Sequence, residues 1–592
     1  MLAFLRWARS IALGMLNGVA KFALFIVLLI VVLFGIGFVE GDGLPGNMVL
    51  KLDLNSAIKD SSNPGVLALE RTPTVMDIVL ALDRAGHDGR VKGLFMRVGS
   101  AGLPVAQAEE IGSAIARFRK TGKFVIAHSQ GFLSQGIGDY LTAASANEIW
   151  MQPRSPFGTA GEGSGAIFLR GLFDKIQAVP QIVKRADYKS AADTFMEKDY
   201  TAPDRVQTTA FLQSWYDSAT QAVAADRKLD PKVVISVLQA SPQFAEDAKR
   251  AHLIDKTGYD DEAQQAAKAR GNDGNLVSLM DYARATEDAS SVGKGPRVAL
   301  ITGTGDIIDG SVRHGGLFED SNQIAGDDFA EAIRKATRDS SIKAILFRID
   351  SPGGSVTASD QILDALKKAR AAGKPVIVSM GTLAASGGYY VSCAANKIVA
   401  EPATLTGSIG VLTGKVAIGK SLGLIGVTED QIGVGKNALF DSSVSPYTPD
   451  QWANLNAQAD AIYADFLQKV ASGRKLPLDT VKNIAKGRVW TGADARGRGL
   501  VDDLGGFWKA VADAKTAAGI APDERVVFKR YPQSEGLFQA LRDAAGGTEA
   551  GVRAMEGLST LAEAPVAHAV LEAISEVPRG SIEMRAINLP VQ

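Results

Sequence analysis

The pattern of apolar and polar positions changes character near residue 40. Phe22–Val39, FALFIVLLIVVLFGIGFV, holds eighteen residues without a charge, the lower end of what crosses a hydrocarbon core as a helix. Arg6, Arg9 and Lys21 precede it, and Glu40 and Asp42 follow. The positive-inside rule therefore predicts one pass, with the N-terminus in the cytoplasm and the bulk of the chain outside. A cleavable signal peptide predicts a shorter apolar region and an A-x-A-like site, where GFVEGDGLPG stands instead. From Met48 onward the pattern becomes short apolar runs of strand length alternating with amphipathic stretches of helical period.

Those runs recur. MVLKLDLNSAIKDSS from Met48 resembles RVALITGTGDIIDGS from Arg297, with Val49 matching Val298 and Asp60 matching Asp309, an offset of 249. Leu94–Ser129 matches Leu346–Met380, each reading as strand, glycine turn, amphipathic helix, strand. YLTAASANEIWMQP from Tyr140 matches YYVSCAANKIVAEP from Tyr389, and EDAKRAHLIDKTG from Glu246 matches ADARGRGLVDDLG from Ala493. Such a period predicts one α/β domain present twice, each copy built of β-α-β units around a largely parallel sheet. The expected organisation is an anchor over 1–45, repeats over 48–280 and 297–520, and an alanine-rich, helix-like tail over 522–592.

Composition narrows the chemistry. Lys+Arg (64) balance Asp+Glu (65) to a net charge of −1, which argues against a nucleic-acid partner bound over the whole surface. An apolar share of 46% with 22% charged residues excludes wholesale disorder. Cys393 is the sole cysteine, so no intramolecular disulfide, Cys-rich zinc site or CxxC redox pair exists.

Chemistry is expected where the two copies differ. The second copy's strand AILFRID ends in Ser351-Pro352-Gly353-Gly354, where the first has Ser100-Ala101-Gly102-Leu103. A Gly-Gly turn lets backbone N–H groups face a ligand unobstructed, as an oxyanion hole requires. The next strand runs into TLAASGGYY, placing Ser386 at a strand-to-helix junction beside Ala385, Gly387 and Gly388. A serine hydroxyl needs a base to become a nucleophile. None of the five histidines (His87, His128, His252, His314, His568) accompanies a motif. A desolvated lysine can do the same work, and Lys189 in ADYKSAADTF and Lys436 in GVGKNALFDS occupy equivalent places 247 residues apart.

SPGGSVTASD, MGTLAASGGYY, TGSIGV, YKSA and GRVWTGADARGRGLVDDLG resemble the signal peptide peptidase A (protease IV) family in its long, two-repeat form. The resemblance covers roughly residues 20 to 520. It implies a tandem of two Clp-protease/crotonase-like domains after an N-terminal transmembrane helix, a Ser/Lys dyad without metal or organic cofactor, and a homotetramer. It also implies digestion of signal peptides and other hydrophobic peptides by periplasmic domains anchored in a bacterial inner membrane. Carried over residue by residue, Ser386 is the nucleophile and Lys189, from the first repeat, the base. Ser408 in TGSIG hydrogen-bonds and orients that lysine, at a place where the first copy has Thr159, and the N–H groups of Gly353 and Gly387 form the oxyanion hole. Short, single-repeat relatives take their base from the serine's own domain, which keeps Lys436 as the alternative base. A crotonase-type acyl-CoA enzyme and a non-catalytic membrane adaptor are the rival functions.

Overall fold

The computed structural model describes residues 42–61, 73–134, 136–291, 295–311, 323–531 and 583–585. The apolar run Phe22–Val39, His314 and His568 lie outside the described residues, as does most of the tail. Among the described residues no helix is long and apolar enough to cross a membrane.

Six strands of the first repeat form a parallel sheet in the order Lys256–Thr257, Glu148–Met151, Phe124–Ser129, Val91–Val98, Met48–Leu54, Asn275–Ser278. Its central strands are apolar on both faces, with FVIAHS of Phe124–Ser129 buried throughout, as expected where helices cover both sides. The second repeat draws the same six-strand path, from Asp503–Leu504 through Lys397–Ala400, Val376–Ala385, Ile342–Ser351 and Arg297–Thr304 to Val527–Tyr531. It adds Leu405–Gly407 and the antiparallel Val489–Thr491 at the other edge. Composition alone reads everything from 522 as helical tail. VVFKRY, rich in β-branched and aromatic residues, instead supplies the edge strand that pairs with Arg297–Thr304, as Asn275–Ser278 pairs with Met48–Leu54.

Each repeat also carries an arm that ends in a 26-residue helix, Ala202–Arg227 in the first and Pro449–Arg474 in the second. Both begin with an N-cap threonine whose side chain accepts a backbone N–H (Thr201, Thr448), have proline in the first turn, and end on a left-handed lysine (Lys228, Lys475). The first repeat's arm packs on the second repeat. Its strand Val179–Arg185 pairs antiparallel with Val411–Ala417 over seven positions, and Trp215 donates its indole N–H to Ala403 O at 2.7 Å.

One continuous apolar core joins the repeats: Leu300, Leu346, Ile377, Val399 and Phe507 of the second belong to the cluster that holds the first repeat's Leu82, Ile111 and Ile115. Embedded in this face, Arg348 bonds both oxygens of Asp60 (3.0 and 2.5 Å), Glu110 Oε2 (2.8 Å) and Ser379 Oγ (2.9 Å). Glu109, Asp350 and Glu401 complete the group, with Phe507 N–H donating to Glu110 Oε1 at 2.8 Å. Dehydrating these charges costs several kcal/mol per ion, whereas each fully buried Leu, Ile, Val or Phe contributes about 1.5–3 kcal/mol. The apolar area therefore holds the repeats together, and the charges fix their register.

Candidate active site

Ser386 sits where the strand Val376–Ala385 meets the short helix Gly387–Ser392. Its backbone is strained for a non-glycine residue, at φ 56° and ψ −115°, a cost of order 1–3 kcal/mol that surrounding structure must sustain. Two bonds do so: Ser386 N–H donates to Gly407 O at 2.8 Å, and Tyr390 N–H donates to Ser386 O at 2.8 Å. The glycines that follow are required by contact. A Cβ on Gly387 would lie 2.9 Å from Ser359 Oγ and 3.0 Å from Gly353 Cα, and one on Gly388 would lie 2.8 Å from Ser351 O.

The first repeat's arm delivers Lys189 to this junction. Arg185 anchors the arm on Asp460 Oδ1 (2.6 Å) and Asn456 O (2.9 Å), and Tyr188 N–H donates to Lys486 O at 3.0 Å. Gln207 holds the turn from the other side, donating to Tyr188 O and Ser190 Oγ at 3.0 Å and accepting Val489 N–H at 3.2 Å. Gly487 (φ 70°) lets the chain pass, since a Cβ there would come within 2.7 to 3.0 Å of the Lys189 backbone and Cβ. Lys189 is 1% exposed, and its Nζ lies 2.7 Å from Ser386 Oγ, 3.0 Å from Ser408 Oγ and 3.1 Å from Ser408 O. Burial pulls its pKa well below the ordinary lysine value. A neutral amine at this distance can accept a hydroxyl proton.

The glycine strand Gly353–Ser355 borders the other side. Gly353 (φ 109°) and Gly354 (φ 147°) take conformations that other residues rarely adopt. Gly353 N–H donates to Ser351 Oγ at 3.1 Å. Gly387 opens a helix, so its N–H has no intrahelical acceptor. Between the glycine strand and Val411–Ala417 runs a slot one strand wide, taken up by Glu583–Arg585. These residues pair antiparallel with Gly353–Ser355, and Glu583 also pairs with Leu412.

The fold thus gathers Ser386, Lys189, Ser408, Gly353 and Gly387 in one place. Lys436, the repeat's equivalent of Lys189, is not among them: its side chain is 75% exposed and ion-paired with Asp450 at 2.8 Å. Thr159, the equivalent of Ser408, is buried, and its hydroxyl has no hydrogen-bond partner among the described residues. Of the described histidines, His87 bonds Asp83 O and His128 bonds Gly258 O. Sequence reasoning passed over Ser351, Gln207, Gly487 and Asp350. Only Ser351 had a signal, inside the SPGG motif; Gln207 and Gly487 act through partners in the other repeat, and Asp350 through Leu383 on the neighbouring strand, a pairing visible only in the fold.

The profile of peptidase family S49 matches residues 117–272 and 368–521, once in each repeat, and that of Clp protease matches 321–404. Protease 4 of Salmonella typhi is 32% identical across 96% of this chain and 93% of its own. Protease 4 of Haemophilus influenzae is 31% identical across 85% and 84%. The chloroplastic serine protease SPPA of Arabidopsis thaliana is 31% identical across 86% and 75%. With a family match in both repeats and relatives aligned over nearly its full length, the chain belongs to peptidase family S49.

Proposed function

We propose that this chain is a serine endopeptidase in which Ser386 is the nucleophile and Lys189 the general base, acting on hydrophobic peptides, cleaved signal peptides foremost. The observation that carries the reading is the 2.7 Å approach of a buried lysine amine to Ser386 Oγ. A neutral Lys189 accepts the Oγ proton while its own N–H groups donate to Ser408 O and Oγ, which fixes its lone pair on the serine.

Oγ attacks the scissile carbonyl carbon as its proton passes to Nζ. The oxyanion takes the N–H of Gly387 and that of Gly353, replacing Ser351 Oγ as the latter's acceptor. Lys189 then returns the proton to the leaving amine, the C–N bond breaks, and an acyl ester remains on Ser386. Water, deprotonated by Lys189, hydrolyses it and restores the hydroxyl. The substrate lies extended in the slot between Gly353–Ser355 and Val411–Ala417. That Glu583–Arg585 pairs there as an antiparallel strand supports a peptide ligand held by main-chain bonds.

Repeat 48–280 supplies the base and repeat 297–520 the nucleophile. The run Phe22–Val39 anchors the enzyme in the bacterial inner membrane with the catalytic repeats periplasmic, which brings apolar segments to the site. A homotetramer completes the reading, supported by the second repeat's arm. Its Ile432 and Val434 are 91% and 97% exposed, apolar side chains that a second copy would cover. A serine-directed phosphonate probe tests the dyad: Ser386 is labelled in the wild type and not in Lys189→Ala. Cleavage of a hydrophobic reporter by Ser386→Ala would end the proposal.

A further inference from the structure

The strand that leads to Ser386 does not pair evenly with its neighbour. Ile349 faces Met380 and Ser351 faces Ala384, so Asp350 alone stands opposite Gly381, Thr382 and Leu383. Such bulges re-aim the residues that follow them. Here the bulge is also the point where the strand changes partner, from Lys397–Ala400 to Leu405–Gly407. Ser386 N–H then bonds the last residue of that new partner.

Asp350 fills the gap the extra residues open. Its Oδ1 accepts Leu383 N–H at 2.8 Å, the bond a regular ladder would have given to a backbone carbonyl, while its own carbonyl accepts Gly305 N–H at 2.9 Å. Thr404 closes the other side, donating Oγ–H to Gly381 O at 2.7 Å. A Cβ on Gly381 would lie 2.9 Å from Asp350 Cβ and 3.0 Å from both Asp350 Oδ1 and Asp60 Oδ1, so the bulge is packed against carboxylates of both repeats. Strand registers put Gly99 at the place of Asp350 in the first copy: Leu54 pairs with Val98 as Gly303 pairs with Ile349. The copy without Ser-Gly-Gly therefore has no side chain there.

Resting on the assignment of Ser386 as nucleophile, we infer that Asp350 is a positioning residue for the peptidase reaction: its side-chain oxygen replaces the missing ladder acceptor, sets the bulge Gly381–Leu383, and so aims Ser386 Oγ at Lys189. It touches neither substrate nor the reacting atoms.

The distinguishing variants are Asp350→Asn, whose amide oxygen still accepts Leu383 N–H, and Asp350→Ala and Asp350→Ser, which cannot reach it. In the full-length protein, phosphonate labelling of Ser386 should slow about 50-fold or more in Ala and Ser and stay within about fivefold of wild type in Asn, since ~1 Å of misplacement costs ~100-fold. KM for a reporter peptide should stay within about threefold, because the slot is built elsewhere. Amide exchange should accelerate in the peptide covering 381–386 of Ala and Ser. Labelling of Ala and Ser at the wild-type rate, an Asn variant as slow as Ala, or failure of both short variants to fold would each overturn the inference, the last by assigning Asp350 to stability. Ser386→Ala is run alongside: if it still takes up label, the nucleophile assignment itself has failed, and not only the role of Asp350.

Discussion

Lys189 and Lys436 occupy the same position of the repeat, yet Lys189 is buried against Ser386 while Lys436 stands in solvent beside Asp450. The difference comes from what each arm packs on. Lys189→Ala should lower kcat about 1,000-fold, the middle of the range a general base contributes, and Lys436→Ala should leave it within about twofold. Steady-state kinetics on a hydrophobic peptide read both.

As the proposed base, Lys189 would act only when neutral, so activity should rise with pH as its ammonium deprotonates. Burial has moved that step down, so the rate should reach its plateau well below the pH at which an ordinary lysine ionises. Ser408→Ala removes one of the two acceptors on Nζ and should cost about tenfold in kcat with KM little changed. A pH profile rising only above 10 would count against a desolvated base.

Gly487→Ala should separate activity from stability. The new methyl meets Lys189 N at 2.7 Å, so the turn must shift by a fraction of an ångström at the base. A loss of about 1–3 kcal/mol in stability should accompany a fall of ~100-fold in kcat. Thermal melts and kinetics on one preparation compare the two.

Glu583–Arg585 lies in the slot assigned to substrate. Ending the chain after Tyr531 should raise kcat/KM for a short peptide, by about tenfold if the tethered strand competes at millimolar effective concentration. A synthetic peptide of residues 581–592 should inhibit the shortened enzyme competitively. Unchanged kinetics on truncation would place the tail elsewhere during turnover.

The charge cluster between repeats should make stability fall as the solution turns alkaline. Burial and the neighbouring Glu110 raise Glu109 to about 7, and burial with Asp60 raises Asp350 to about 7. Burial and the charges of Glu110 and Glu109 push Glu401 well above the usual carboxylate range. Groups with raised pKa bind more protons folded than unfolded, so their stabilisation is complete below pH ~4 and is lost as pH rises through about 7. The thermal midpoint should drop by several degrees between pH 5 and 8. Arg348→Met, leaving Asp60 and Glu110 without their cation, should add a loss of about 3–5 kcal/mol at pH 8.

The doubling of the domain and the junction at Ser386 were legible because they rest on local signals, motif, small-residue neighbours and repeat offset; the offset left Lys189 and Lys436 equally open, and the choice of Lys189 and the role of Ser408 came from the family resemblance. What stayed hidden depends on register. Asp350 looks like any aspartate before a turn until pairing shows three residues opposite one. Gly353 was read as a bare donor, and its bond to Ser351 Oγ appears only when the turn is folded. Val527–Tyr531 was read as tail because the strand it pairs with begins 230 residues earlier.

The residues assigned as base and nucleophile are 197 positions apart, on halves that share one core. A chain still being synthesised, with only its first repeat emerged, holds an amine and no serine for it to activate. On the proposed dyad, peptidase chemistry should switch on only once both repeats are made and folded, and a fragment cut between the repeats should be inert on either side.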